Sequence, residues 1–343
     1  MASVRDWLQL FRSHTSPLEV TIALLGAVLA AGTLLDVRVL LVALLGWLYH
    51  NAGYGQNSVE DFAAGYDSED PHKSHHPLQR GAISISEGRR AVNTLLAVFF
   101  IYSILLLYPS RTGIAIFLVM YACGVMYNKF GKSMKLKFVP IAIAHSLLFP
   151  VGFFAAGGTA NMDWASLLRN RITYVLILGF LYFVIQIVYQ ILIEGDLKDI
   201  ECDEATMLDW LGIKLENGEL RASLRARITG TLLKTLNIII ALEIIRVYGM
   251  PTAVVASWAV ISTGILMFNR KLLATRRFYH GETLKDMAVM EVLSVFLMVF
   301  ALAPAMAPGN GGILAAGAVV VLDISYFVVM NRYLWGTVVT PRV

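Results

Sequence analysis

Two short stretches gather carboxylates at spacings that suit chemistry. The first reads Asn57-Ser58-Val59-Glu60-Asp61, with Asp67, Glu69 and Asp70 close behind. The second reads Glu194-Gly195-Asp196-Leu197-Lys198-Asp199-Ile200-Glu201-Cys202-Asp203. Asn57 and Asp61 are four residues apart, as are Asp199 and Asp203; on a helix each pair shares a face, and Asp196 joins the second. Each stretch closes an apolar run, so its acids lie at a helix C-terminal end, the negative pole, where like charges also repel at this spacing. A cation offsets both effects. Mg²⁺ is the natural one, because it takes oxygen ligands and typically combines a few carboxylates with substrate phosphates. The candidate metal ligands are Asn57, Asp61, Asp67, Asp196, Asp199 and Asp203. Lys73, Arg80, Lys129 and Lys198 are candidates to contact phosphate. The competing reading is a set of solvated loop acids paired with nearby bases.

These stretches sit in a chain that is 57% hydrophobic and 15% charged over 343 residues. Soluble domains carry about 25% charged residues. A bilayer core takes roughly 20 apolar residues per helix, and runs of that kind recur. Ten spans are expected, near 18–35, 38–54, 91–108, 112–128, 137–157, 172–193, 228–248, 251–269, 286–306 and 312–333. The expected fold is all-α, a polytopic transmembrane bundle of nine or ten spans forming a single domain over 1–343. Polar loops are expected at 55–90 and 194–227.

Loop charge orients the chain. With Arg5 and Arg12 on the cytoplasmic side, every second loop is rich in lysine and arginine, while the opposite loops hold only Arg38, Arg111, Arg169 and Arg171. That is the positive-inside pattern. It predicts a multi-pass protein of the cell membrane with both termini and both acidic loops cytoplasmic. The net charge of +4 is therefore a topology signal, and no nucleic-acid partner is expected. Cys123 and Cys202 form no disulfide framework, and no cleavable leader is expected.

At the acidic stretches the chain resembles the UbiA superfamily of intramembrane prenyltransferases. That family carries Asn-Asp-x-x-Asp-x-x-x-Asp after its second helix, followed by Arg-Pro-Leu-x-x-Gly-x-Ile-Ser. Asn57 and Asp61 match the first part, and Pro77-Leu78-Gln79-Arg80-Gly81-Ala82-Ile83-Ser84 matches the tail. The second family motif, Asp-x-x-x-Asp after the sixth helix and often preceded by lysine, fits Lys198-Asp199-Ile200-Glu201-Cys202-Asp203. Tyr127-Asn128-Lys129 is similar to a family position for a phosphate-contacting lysine. The chain departs from the pattern at Ser58 and Gly65, where the family has aspartates, at His76 before the proline, and in its tenth span.

The resemblance implies Mg²⁺-dependent transfer of an isoprenyl group from an isoprenyl diphosphate to a lipid-like or aromatic acceptor in the membrane. It implies Asp61, Asp199 and Lys129 as catalytic residues. Asn57, Lys73, Arg80, Lys198, Tyr54 and Tyr189 would bind substrate, the tyrosines by facing an allylic cation. The Lys-Asp-Ile-Glu second motif is similar to that of archaeal lipid synthases and points to a lipid or other polar acceptor. A transporter would instead use mid-span charges such as Glu291 or Asp323. A transferase with another diphosphate donor is the third reading; the signature of CDP-alcohol phosphotransferases is absent.

Overall fold

The computed structural model describes residues 2–65, 74–131, 134, 136–159, 170–197, 200–201 and 207–337. Lys73, Asp67, Lys198, Asp199 and Asp203 lie outside them. The ten expected spans correspond one for one to ten long helices. These are α2 (Pro17–Ala31), α3 (Val37–Ala63), α4 (Ile85–Leu107), α5 (Arg111–Phe130), α6 (Phe138–Ala155), α7 (Arg171–Tyr189), α9 (Leu224–Val247), α10 (Thr252–Leu272), α11 (His280–Ala301) and α13 (Gly311–Trp335). Among the described residues three short helices accompany them, α1 (Val4–Leu10), α8 (Met207–Leu211) and α12 (Ala303–Met306). Among the described residues eight helices are long and apolar enough to cross a membrane. The other two, α3 and α11, are 27 and 22 residues long but carry polar residues. The chain is a multi-pass membrane protein.

Two compact units form, one from residues 1–160 with 317–343 and one from 161–316. In the first, α2 packs on α6 with almost no spacing. A Cβ on Gly26 would overlap the Phe149 carbonyl oxygen, and one on Gly152 would overlap that of Ala23. Lipid gives no hydrophobic drive for helices to associate, so small residues that permit backbone approach set the contact. Helix starts are capped locally: Ser84 and Glu87 form a capping box at α4, and Asp36 accepts from the Arg38 backbone at α3.

The second unit combines α7 to α12 with a small sheet that the sequence reading did not anticipate. Strands β1 (Ile213–Glu216) and β2 (Glu219–Ala222) pair antiparallel, and β3 (Arg276–Arg277) pairs with β2. The hairpin turns at Asn217-Gly218, whose φ values of 52° and 77° are the left-handed pair that such a turn requires. The sheet ties the loop after α7 to the loop before α11.

Candidate functional site

In the first unit α3 runs well beyond its apolar stretch. Rather than ending near residue 54, it continues to Ala63, which places the first motif on a helix. Asn57 Nδ2 donates to Asp61 Oδ2 at 2.9 Å, so the four-residue spacing does put the amide and the carboxylate on one face. Both are partly buried. Ser58, at the position of a family aspartate, is wholly buried, so its side chain faces the bundle and not the surface that Asn57 and Asp61 present. Tyr54, one turn earlier on that face, stacks on His50 with ring centroids 4.3 Å apart.

The end of α5 is fastened to this part of α3. Asn128 Nδ2 donates to the Gly53 carbonyl at 3.0 Å and to Gln56 Oε1 at 3.1 Å. The next residue, Lys129, lines a groove of about 630 Å³ bounded by α3, α4 and α5. Gln56, Asn93 and Lys129 make its polar end, while Phe100, Ile101 and Tyr121 line it farther along the helices. Such a groove suits an amphiphile with a polar head and an apolar tail.

Arg80 is already engaged. Its Nη2 pairs with Asp6 of α1 and donates to Gln9 Oε1 at 2.7 Å. Gln9 and Arg5 in turn donate to the Leu334 carbonyl at the end of α13. Asp6 also accepts from the Ser3 backbone, which, with Arg80, holds its carboxyl below the ordinary carboxylate range despite some loss of hydration.

In the second unit α7 changes pitch. Residues Gln190–Gly195 form a π turn, a rare geometry that is frequent at functional sites. It leads directly into Asp196, which is buried. Glu194, two residues earlier, is also buried, with Glu291 and Lys234 in its electrostatic surroundings. Lys234, at 0% exposure, donates to Gln186 Oε1 at 3.0 Å and Ser294 Oγ at 3.3 Å, and lies 3.9 Å from the Tyr189 ring centroid. Tyr189 is wholly buried and donates to Asn269 Oδ1 at 2.9 Å. The ammonium occupies a face of the ring that the sequence reading assigned to a substrate cation.

The structure thus brings together Asn57, Asp61 and Tyr54 on one helix face, and sets Lys129 in the groove beside Gln56. It places Asp196 at the end of the π turn. Among the described residues no three His, Cys, Asp or Glu side chains converge on a metal. Sequence reasoning passed over Glu19 and His50, which meet in the interior with Nδ1 of the imidazole 2.7 Å from the carboxylate. Their separation of 31 residues left no local signal beyond two polar side chains inside apolar runs.

The comparisons agree with this layout. The model of the UbiA prenyltransferase family matches residues 20–284. No curated protein matches the chain. Among solved structures, digeranylgeranylglyceryl phosphate synthase is similar at 15% identity, covering 86% of this chain and 98% of that one, with a TM-score of 0.59. A UbiA homologue from Archaeoglobus fulgidus bound to GPP and Mg²⁺ is 15% identical, covering 95% and 99%, with a TM-score of 0.52. The same homologue bound to DMAPP and Mg²⁺ is 14% identical, covering 95% and 98%, with a TM-score of 0.51. At such identities the structures establish a common fold. With most of its length matched by the family model, the chain belongs to the UbiA prenyltransferase family.

Proposed function

We propose that this protein transfers an isoprenyl group from an isoprenyl diphosphate to a glycerol-phosphate lipid acceptor at the cytoplasmic side of the cell membrane. The observation that carries this reading is the pairing of Asn57 with Asp61 on the partly buried end of α3, where the preceding residue, Gln56, lines a groove that runs from Lys129 to Phe100 and Tyr121. An anionic head and an apolar tail need such an arrangement. Related structures hold GPP or DMAPP together with Mg²⁺, which supports the same assignment here.

Each acidic stretch offers oxygen donors of the kind a hard divalent cation takes, Asn57 and Asp61 in the first unit and Asp196 in the second. Asp67, Asp199 and Asp203 complete the proposed ligands. Bound Mg²⁺ would neutralise charge on the departing diphosphate. The protein's own part is to hold the diphosphate oxygens through Lys129, Lys73 and Lys198, to orient the chain, and to exclude water from the carbon that becomes electron-deficient. Asp61 and Asp199 fix the head group. Tyr54 presents an aromatic face beside it. Arg80 acts at a remove, joining the motif tail to α1.

The preference for a polar lipid acceptor rests on the Lys-Asp-Ile-Glu sequence of the second motif. The positive-inside distribution of lysine and arginine supports cytoplasmic termini. The test is a transfer assay with purified protein, geranylgeranyl diphosphate and Mg²⁺. Geranylgeranylglyceryl phosphate should be prenylated and 4-hydroxybenzoate should not. Prenylation of 4-hydroxybenzoate alone would reverse the acceptor assignment, and inactivity with both alongside an absence of donor binding would refute transfer.

A further inference from the structure

A buried trio of ionisable residues in the first unit takes no part in holding the donor. Glu19 of α2 lies between two imidazoles. Its Oε2 is 2.7 Å from His50 Nδ1 on α3, and its Oε1 is 3.4 Å from His145 Nδ1 on α6. His50 Nε2 is 3.0 Å from the Arg12 carbonyl oxygen. The Thr15 hydroxyl, 3.3 Å from the same nitrogen, is committed to donating to that carbonyl. Both ring nitrogens of His50 are thereby engaged, one by the Glu19 carboxyl and one by the Arg12 carbonyl. Glu19 and His50 thus form a close pair sealed from solvent.

The second oxygen of Glu19 remains for His145. It approaches His145 Nδ1, but the two are not aligned as a hydrogen bond, and each lacks another partner among the described residues. Buried polar atoms left in this way call for an explanation. So do ionisable groups within a membrane span, which are costly and mark function. Glu19 and His50 side chains are 0% exposed, whereas His145 keeps 11%.

The trio also has a definite address relative to the first motif. His50, Tyr54, Asn57 and Asp61 follow one face of α3. His50 is two turns, about 10 Å, deeper than Asn57. His50 thus sets the trio deeper in the span than the motif proposed to hold the diphosphate.

We propose that His145 is the proton acceptor of the transfer and that Glu19 is its positioning residue, an assignment that rests on the prenyl-transfer reading above. The acceptor's hydroxyl oxygen forms a bond to C1 of the isoprenyl chain. The bond from C1 to the diphosphate oxygen breaks, and its electron pair leaves with the diphosphate. The acceptor's proton passes to His145 Nε2, and Glu19 stabilises the resulting imidazolium through Nδ1–H, as carboxylates do for catalytic histidines. The titratable groups around this centre are Glu19 on α2, Tyr49, His50 and Tyr54 on α3, and Cys123 on α5. Tyr49 meets the His145 ring edge-on at 5.4 Å.

The experiment uses the full chain in detergent with geranylgeranyl diphosphate, Mg²⁺ and geranylgeranylglyceryl phosphate. His145→Gln and Glu19→Gln should keep the donor Kd within about twofold. Their kcat should fall by roughly 10²–10⁴. In the wild type kcat should drop on the acidic side within about pH 5–8, where imidazole titrates, and His145→Gln should lose that limb. Variants that bind donor normally and retain both kcat and the pH profile would overturn the proposal. So would a wild-type profile that is flat over that range, whatever the variants' folding. Joint loss of donor binding and transfer in folded His145→Gln would assign the residue a structural role instead. A wild type that binds no donor would refute the transfer reading itself, a separate failure visible before any variant is made.

Discussion

The amide of Asn57 donates to the carboxylate of Asp61 at 2.9 Å across one turn of α3. The bond ties the two side chains together on the same helix face. That geometry makes the pair a unit: loss of either partner disturbs the other. Asp61→Asn and Asn57→Ala should each weaken diphosphate binding and lower transfer by about 10²-fold or more, the scale seen when one preorganised electrostatic partner is removed. Isothermal titration with geranyl diphosphate and a transfer assay measure the two effects. Unchanged melting temperatures would show that the loss is local.

Lys129 tests the groove. Lys129→Ala removes a cation from the polar end of the space lined by Gln56, Asn93, Phe100 and Tyr121, and leaves the Asn128 bonds to α3 in place. Donor affinity should fall about tenfold, the cost of one charge-assisted contact. The affinity should also become less sensitive to added salt. Equal affinity at low salt would remove Lys129 from the site.

The contact between α2 and α6 makes a stability prediction. Gly26→Val or Gly152→Val forces a side chain into an opposing backbone carbonyl, so overpacking should destabilise by about 1–3 kcal/mol or more. Gly124→Ala is the control, because its Cβ would meet the Ala144 Cβ at 3.9 Å, an ordinary contact. Thermal unfolding in detergent compares the two.

The pairing of Arg80 with Asp6 predicts a pH dependence. The Ser3 backbone and Arg80 depress the Asp6 carboxyl below its usual value. A depressed acid adds stability that is in place above the ordinary carboxylate range and is lost as pH falls through the lowered pKa. Asp6→Asn should therefore lower the melting temperature at neutral pH, and the gap from wild type should close as pH falls below the ordinary carboxylate range. A gap that persists in acid would mean that packing, not charge, is responsible.

The spans were legible because their length and loop charge are properties of contiguous sequence. The first motif was legible for the same reason: Asn57 and Asp61 are near neighbours on one helix. The prediction failed at the end of α3, since hydropathy tracks the bilayer while the helix continues past it to Ala63. The hairpin at Asn217-Gly218 had a local signal, an Asn-Gly pair between alternating residues, which the focus on long apolar runs passed over. The engagement of Arg80 by Asp6, 74 residues away, and the trio of Glu19, His50 and His145 depend on which helices pack together. No spacing rule contains that information. Tyr189 was chosen for its ring, but the ring is covered by Lys234, 45 residues later in the chain.

The most direct measurement is binding of geranyl diphosphate to the purified full chain with and without Mg²⁺. The account predicts saturable binding with millimolar Mg²⁺, loss of it on chelation with EDTA, and at least tenfold weakening in both Asp61→Asn and Asp199→Asn. Binding that ignores Mg²⁺ and both substitutions, or no binding at any Mg²⁺ concentration, would contradict it.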